Sequence, residues 1–199
     1  WQKLACAMAL QRRFAIITGG PGTGKTTTVV KLLALLQHSA ANSLQIKLAA
    51  PTGKAAVRLT ESISGAISRL PQAMQHAIPT EVTTLHRLLG AVPNRRSFRH
   101  HADNPLQLDV LVVDEASMVD LEMMAALLSA LPAQAQLVLL GDKDQLASVE
   151  AGAILAELCR DAERGGYSTD TTDWLFQQSG QQIPPQFISS SPGALEQQL

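Results

Sequence analysis

Short unbroken apolar runs alternate along this chain with longer segments in which apolar residues recur every three or four positions. Residues 14–18, 44–50, 108–113 and 136–140 are runs of the first kind and predict buried strands. The helical spacing appears first at 1–10, with Leu4, Ala5, Met8 and Ala9, and then at 25–37, with Val29, Val30, Leu32, Leu33 and Leu36. It returns from 55 to about 70, with Ala56, Leu59, Ile63 and Ile67. Over 120–131 it places Leu121, Met124, Leu127, Leu128 and Leu131 inward, with Asp120 as the cap. A last helix is expected over 151–164. Residues 71–79 read as a break, 83–89 as a short amphipathic piece, and 90–105 as an insertion. Strands alternating with helices predict an α/β domain built on a mostly parallel sheet.

Chemistry enters where the strands end. The first strand runs into Gly19, Gly20, Pro21, Gly22, Thr23, Gly24, Lys25 and Thr26, which fits G-x-x-x-x-G-K-[ST], the P-loop, followed by Thr27 in the first turn of a helix. Glycines there let backbone N–H groups turn onto phosphates, and the helix N-terminus adds partial positive charge. Lys25 is placed to reach the β- and γ-phosphates of ATP, and the Thr26 hydroxyl to ligate Mg²⁺. The third strand ends in Asp114 and Glu115, the Walker B pattern, in which the first acid holds the Mg²⁺ shell and the second deprotonates an attacking water. Gln145, after the fourth strand, is either a γ-phosphate sensor or a polar loop residue. Gln2 is either solvated helix surface or an amide that reads an adenine edge. Pro51, Thr52, Gly53 and Lys54 form a turn between strand and helix, where open α/β sheets bind ligands.

At 199 residues with 46% hydrophobic and 17% charged, the chain suits one full-sized globular domain. No apolar stretch is long enough to span a bilayer, and no signal-peptide pattern opens the chain. Cys6 and Cys159 stand far apart without a C-x-x-C, so neither a disulfide framework nor a zinc site is expected, and a reducing cytoplasm fits. The net charge of −1 conceals an asymmetry: residues 1–108 hold 13 Lys or Arg against 3 Asp or Glu, and residues 109–199 hold 3 against 14. Either the two halves neutralise each other within one fold or the first half meets a polyanion such as nucleic acid. In the insertion, Arg95, Arg96 and Phe98 form a basic and aromatic mixture able to hold a phosphate backbone and stack on a base, or else a solvated loop.

Together these segments, with Thr-Leu-His-Arg-Leu-Leu-Gly at 84–90 and Gly-Asp-Lys-Asp-Gln-Leu at 141–146, resemble successive motifs of superfamily 1 DNA helicases. More narrowly, Val-Val-Asp-Glu-Ala-Ser-Met at 112–118 and the stretch from 141 to 152 resemble the D-subunit (alpha-chain) family of the bacterial RecBCD complex, exodeoxyribonuclease V. The resemblance implies a RecA-like P-loop NTPase, a three-layer α/β/α domain over 1–165 with a small 1B-like insertion at about 90–107. It implies an ATP- and Mg²⁺-dependent motor moving 5′ to 3′ on single-stranded DNA, with a duplex junction ahead of it and the beta and gamma chains of the complex as partners. It makes Gln2 an adenine contact, Gln145 a γ-phosphate sensor, and Pro51, Thr52, Gly53, Lys54, Thr84 and His86 DNA contacts. Residues 166–199, rich in Gln, Ser and Pro, are expected to be partly ordered. No Lys or Arg follows Arg164, so the arginine that a second motor domain supplies is expected to lie outside this chain, which then reads as a fragment. The alternatives are a P-loop phosphotransferase acting on a small molecule, or a module that binds DNA or a partner without turnover.

Overall fold

The structure, a computed structural model, describes residues 1–76, 78–92, 97–143, 145, 152–160 and 165–189. Strands β1 (Phe14–Thr18), β2 (Ile46–Ala50), β3 (Val82–Thr84), β4 (Val110–Val113) and β5 (Gln136–Gly141) form one sheet in the order β1-β5-β4-β2-β3. Every pairing is parallel. Burial on both faces explains why the central strands are continuous apolar runs. Val110 and Val112 of β4 enter the core on one face of the sheet, and Leu111 and Val113 enter the core on the other. Helices α1 (Gln2–Gln11), α2 (Lys25–Ser39) and α3 (Gly53–Ile67) cover the first face. Helices α5 (Leu85–Leu89), α6 (Leu121–Ala130) and α7 (Gly152–Leu158) cover the second. A single turn, α4 (Gln72–Gln75), lies in the expected break. The architecture is the three-layer α/β/α fold the motifs imply.

Parallel pairing has one consequence that governs function: all five strands deliver their following loops to the same edge. The glycine loop, the 51–54 turn, the start of α5, the Asp114-Glu115 pair and the residues Asp142 and Lys143 after β5 therefore meet at the carboxyl ends of the strands. Because β5 lies between β1 and β4, its carboxyl end at Gly141 lies between the ends of the strands that carry the glycine loop and the acidic pair. Gly141, the last residue of β5, allows this crowding. A Cβ there would meet Leu155 Cδ2 at 2.5 Å and the Ser117 backbone nitrogen at 3.3 Å. Gly141→Ala is expected to destabilise the chain by about 1–3 kcal/mol through this overpacking, read as a lower denaturant midpoint at unchanged slope.

Three elements differ from the pattern reading. The piece expected at 83–89 is a three-residue edge strand, β3, which begins at Val82, followed by α5. On α6, Leu121 is 68% exposed and Leu128 51% exposed, while Met123, Met124, Leu127 and Ala130 are buried. This helix is apolar on most sides, so spacing alone did not select its inner face. Beyond Gly166, α8 (Thr169–Ser179) is capped by the Ser168 hydroxyl, which accepts from the Thr171 N–H at 3.2 Å, and packs on α1 through Leu175. Among the described residues no helix is long and apolar enough to cross a membrane, and Cys6 and Cys159 are free buried thiols.

Candidate active site

The glycine loop wraps a cavity of about 300 Å³ lined by Gly20, Gly22, Thr23, Gly24, Lys25, Thr26, Thr27, Ser62, Asp114 and Glu115. Gly24 caps α2 in the left-handed region, φ 86°, where a side chain would be strained, and a Cβ there would meet the Gln2 amide at 2.5 Å. No side chain caps this helix start, so its first backbone N–H groups are left for an incoming anion. The Lys25 ammonium donates to the carbonyls of Gly19 and, at 3.1 Å, Gly20. A phosphate would replace two neutral acceptors with charged ones. Thr23 Oγ1 donates to the Gly20 carbonyl at 2.8 Å and closes the loop on itself.

Gln2 is brought to the same place from α1. Its Nε2 donates to the Thr23 carbonyl at 3.0 Å, so the amide rests against the loop. On the facing side stand Asp114 and Glu115. Burial, as the largest cause, raises the Asp114 pKa; the Glu115 charge adds to this, while a backbone hydrogen bond and Lys25 oppose it. Two adjacent acids with one of them desolvated form a donor set suited to a hard cation. With the Thr26 hydroxyl, Asp114 supplies oxygen ligands of the kind Mg²⁺ takes when substrate phosphates and water complete its shell. Among the described residues no cluster of three or more His, Cys, Asp or Glu could hold a metal without such help.

Because its folded-state pKa is raised, Asp114 favours the native state when protonated. That contribution is fully present below the ordinary carboxylate pKa and is lost as pH rises through the raised value. Above that raised value the buried charge is a cost to folding. Asp114→Asn is therefore expected to raise the melting temperature of the nucleotide-free chain at pH 7 and to remove the Mg²⁺ dependence of nucleotide binding. A lower melting temperature would contradict it.

Glu115 is the only non-glycine residue at positive φ among those described, at φ 52° and ψ 40°. A left-handed residue of this kind typically costs about 1–3 kcal/mol and tends to mark functional sites. It opens a 3₁₀ turn, Ala116–Met118, on which Ser117 is buried and donates to Gln145 Oε1 at 3.1 Å. Gln145 is thereby tied to the acidic loop. Ser62 carries no sequence signal, since a lone serine on a helix has no pattern to read, whereas Ser117 lies within the 112–118 stretch that carries the resemblance although no role was assigned to it.

A second group forms beside this cavity. Ala50 pairs with Thr84 in register, so the 51–54 turn and α5 leave the sheet side by side. The Thr52 hydroxyl accepts from the Ala55 N–H at 3.2 Å, and the Thr84 hydroxyl from the Arg87 N–H at 3.3 Å. Each hydroxyl caps a helix and keeps its proton to donate. Pro51 is half-buried, whereas Gly53, Lys54 and His86 are exposed. Phe98 is turned differently from a free stacking face. An antiparallel bridge between Ala91 and Phe98 folds the insertion back, and the ring packs half-buried against the core with its centroid 6.0 Å from that of His86. Arg95 and Arg96 lie outside the described residues.

Comparison with known proteins fits this geometry. The chain is 51% identical over 189 residues to the RecBCD enzyme subunit RecD of Haemophilus influenzae, covering 92% of this chain and 29% of that protein. It is 51% identical to the RecBCD enzyme subunit RecD of Mycolicibacterium smegmatis, covering 89% of this chain and 33% of that protein. To the ATP-dependent RecD2 DNA helicase of Deinococcus radiodurans it is 43% identical, covering 75% of this chain and 18% of that protein. The chain thus spans about a third or less of the length of these relatives. A family model described as an AAA domain matches residues 2–151, the whole of the sheet with its glycine loop and acidic pair, and the chain belongs to that AAA domain family.

Proposed function

We propose that this chain is the ATP-binding motor domain of a 5′ to 3′ DNA helicase acting as the RecD-type subunit of an exonuclease V complex, in the cytoplasm. The observation that supports it is the meeting, at one sheet edge, of a phosphate cavity with two capped turns that present Thr52, Lys54, Thr84 and His86. In this reading the triphosphate takes the helix N–H groups and Lys25, with Gln2 beside the loop to meet the base. Thr26 and Asp114 hold Mg²⁺, which when bound would neutralise developing phosphate charge. Glu115 accepts the proton of the attacking water, and Gln145 meets the γ-phosphate.

Single-stranded DNA lies across the two turns, each donating a hydroxyl proton to the phosphate backbone, with Lys54 adding positive charge. The 1B-like insertion stands beside them at the duplex junction, Phe98 holding His86 in place rather than stacking on a base. Helix α3 runs from the DNA turn at Gly53 to Ser62 in the phosphate cavity, so one rigid element touches both sites. The beta and gamma chains of the complex are the proposed protein partners.

The test is ATP turnover by the intact protein with its partner chains, with and without single-stranded DNA. DNA is expected to raise kcat severalfold, with a steep loss of DNA affinity as salt rises. Turnover indifferent to added oligonucleotide would reject the reading.

A further inference from the structure

We propose that Ser62 is a positioning residue for the Mg²⁺ that accompanies the nucleotide, its hydroxyl oxygen accepting a hydrogen bond from a water on that ion. The inference rests on the nucleotide-binding reading above and gives a task to a residue which that reading uses only as a wall of the cavity.

On α3 the buried residues Ala55, Ala56, Leu59, Ile63, Ala66 and Ile67 form one face, and Ser62 stands exposed at the edge of it, one turn from Leu59 and from Ala66. Other hydroxyls on this helix and at its end are spent on its own backbone. Thr60 Oγ1 donates to the Ala56 carbonyl at 2.9 Å, Ser64 Oγ to the Thr60 carbonyl at 2.8 Å and Ser68 Oγ to the Gly65 carbonyl at 2.9 Å. The Ser62 hydroxyl makes no hydrogen bond among the described residues, and it lines the cavity together with Thr26, Thr27, Asp114 and Glu115.

Topology decides which part of that cavity it meets. In the order β1-β5-β4-β2-β3, β2 lies on the far side of β4 from β1, and the Asp114 N–H donates to the Ala49 carbonyl of β2 at 3.0 Å. Helix α3 follows β2, so it reaches the cavity from the side of the acids rather than from that of the strand before the glycine loop. Mg²⁺ held by one or two protein groups and substrate phosphates keeps several waters. A water whose lone pair is on the metal can only donate, and strongly, so it needs an acceptor. The serine oxygen can accept, and a group that fixes a metal's ligand from behind fixes the metal.

The test is the affinity of the intact protein for a non-hydrolysable ATP analogue, measured by equilibrium binding in Mg²⁺ and in EDTA, with the unfolding midpoint as a control. Ser62→Ala is expected to lower the affinity in Mg²⁺ by about tenfold, the lower end of the loss typical when a partner of a metal ligand is removed, and to leave the affinity in EDTA unchanged. Ser62→Thr keeps the hydroxyl and is expected to behave as the parent. In an Asp114→Asn background, where the Mg²⁺ dependence is already gone, Ser62→Ala is expected to change nothing further. Three results would overturn the proposal: an unchanged affinity in Mg²⁺ for Ser62→Ala, an equal drop in EDTA, which would make the hydroxyl a direct donor to phosphate, or a Ser62→Thr protein as weak as Ser62→Ala. A parent protein that binds no analogue in either medium would sink the nucleotide-binding reading itself, whereas absent DNA stimulation would sink the helicase reading alone.

Discussion

Glu115→Gln is expected to bind Mg·ATP as tightly as the parent and to lose turnover by about 10² to 10⁴-fold, the range over which a positioned general base acts. The amide keeps the shape of the carboxylate and cannot take a proton. Since Glu115 also sits in the left-handed region at φ 52°, the substitution leaves the backbone demand of this position as it was, and the unfolding midpoint should hold. Single-turnover kinetics beside equilibrium nucleotide binding separate the two effects. Retained turnover would remove Glu115 as the base and leave its unusual backbone without a catalytic reason.

Lys25→Ala is expected to act one step earlier. In the nucleotide-free protein the ammonium is spent on the carbonyls of Gly19 and Gly20, which water can satisfy once the lysine is gone. The cost to stability should therefore stay within about 0.5 kcal/mol, as for most changes at accessible positions. Against a triphosphate the same group makes charge-assisted bonds worth about 1.5–3 kcal/mol each, so ATP affinity should fall by at least about tenfold. Turnover should fall by a further 10² to 10³-fold or so, the typical loss when a preorganised charge is removed from a transition state. A fluorescent ATP analogue titrated against parent and variant, with thermal melts alongside, checks both halves.

Much of this site was legible because its chemistry is local in sequence. The glycine loop, the acid pair and the strands before them each form one continuous stretch, and parallel pairing then carries them to one edge without further information. What pattern did not show depends on contacts between distant segments or on elements too short to have a period. β3 is three residues with two threonines, and only its pairing with β2 identifies it as a strand. On α6, leucines at 121 and 128 satisfy a helical spacing as well as the methionines do, and the packing partner decides which face is buried. α8 was hidden by its polar composition, although Ser168 at the cap and Trp174, Leu175 and Phe176 within it are the kind of signal that marks a helix. Gln136 opens β5 as a buried polar residue because its amide donates to the Arg12 carbonyl at 2.8 Å, tying the strand to the end of α1. Nothing within a few residues of Gln136 or Ser62 foretells such placements.

The central claim is that ATP held by the glycine loop alters the grip of the Thr52–Lys54 and Thr84–His86 turns on a DNA strand. It is tested most directly by the affinity of the Glu115→Gln protein, assembled with its partner chains, for a fluorescent single-stranded oligonucleotide in Mg·ATP and in Mg·ADP. The account predicts clearly different affinities in the two states, with the difference abolished by Lys25→Ala. Equal affinities in ATP and ADP, with both nucleotides shown to be bound, would contradict it.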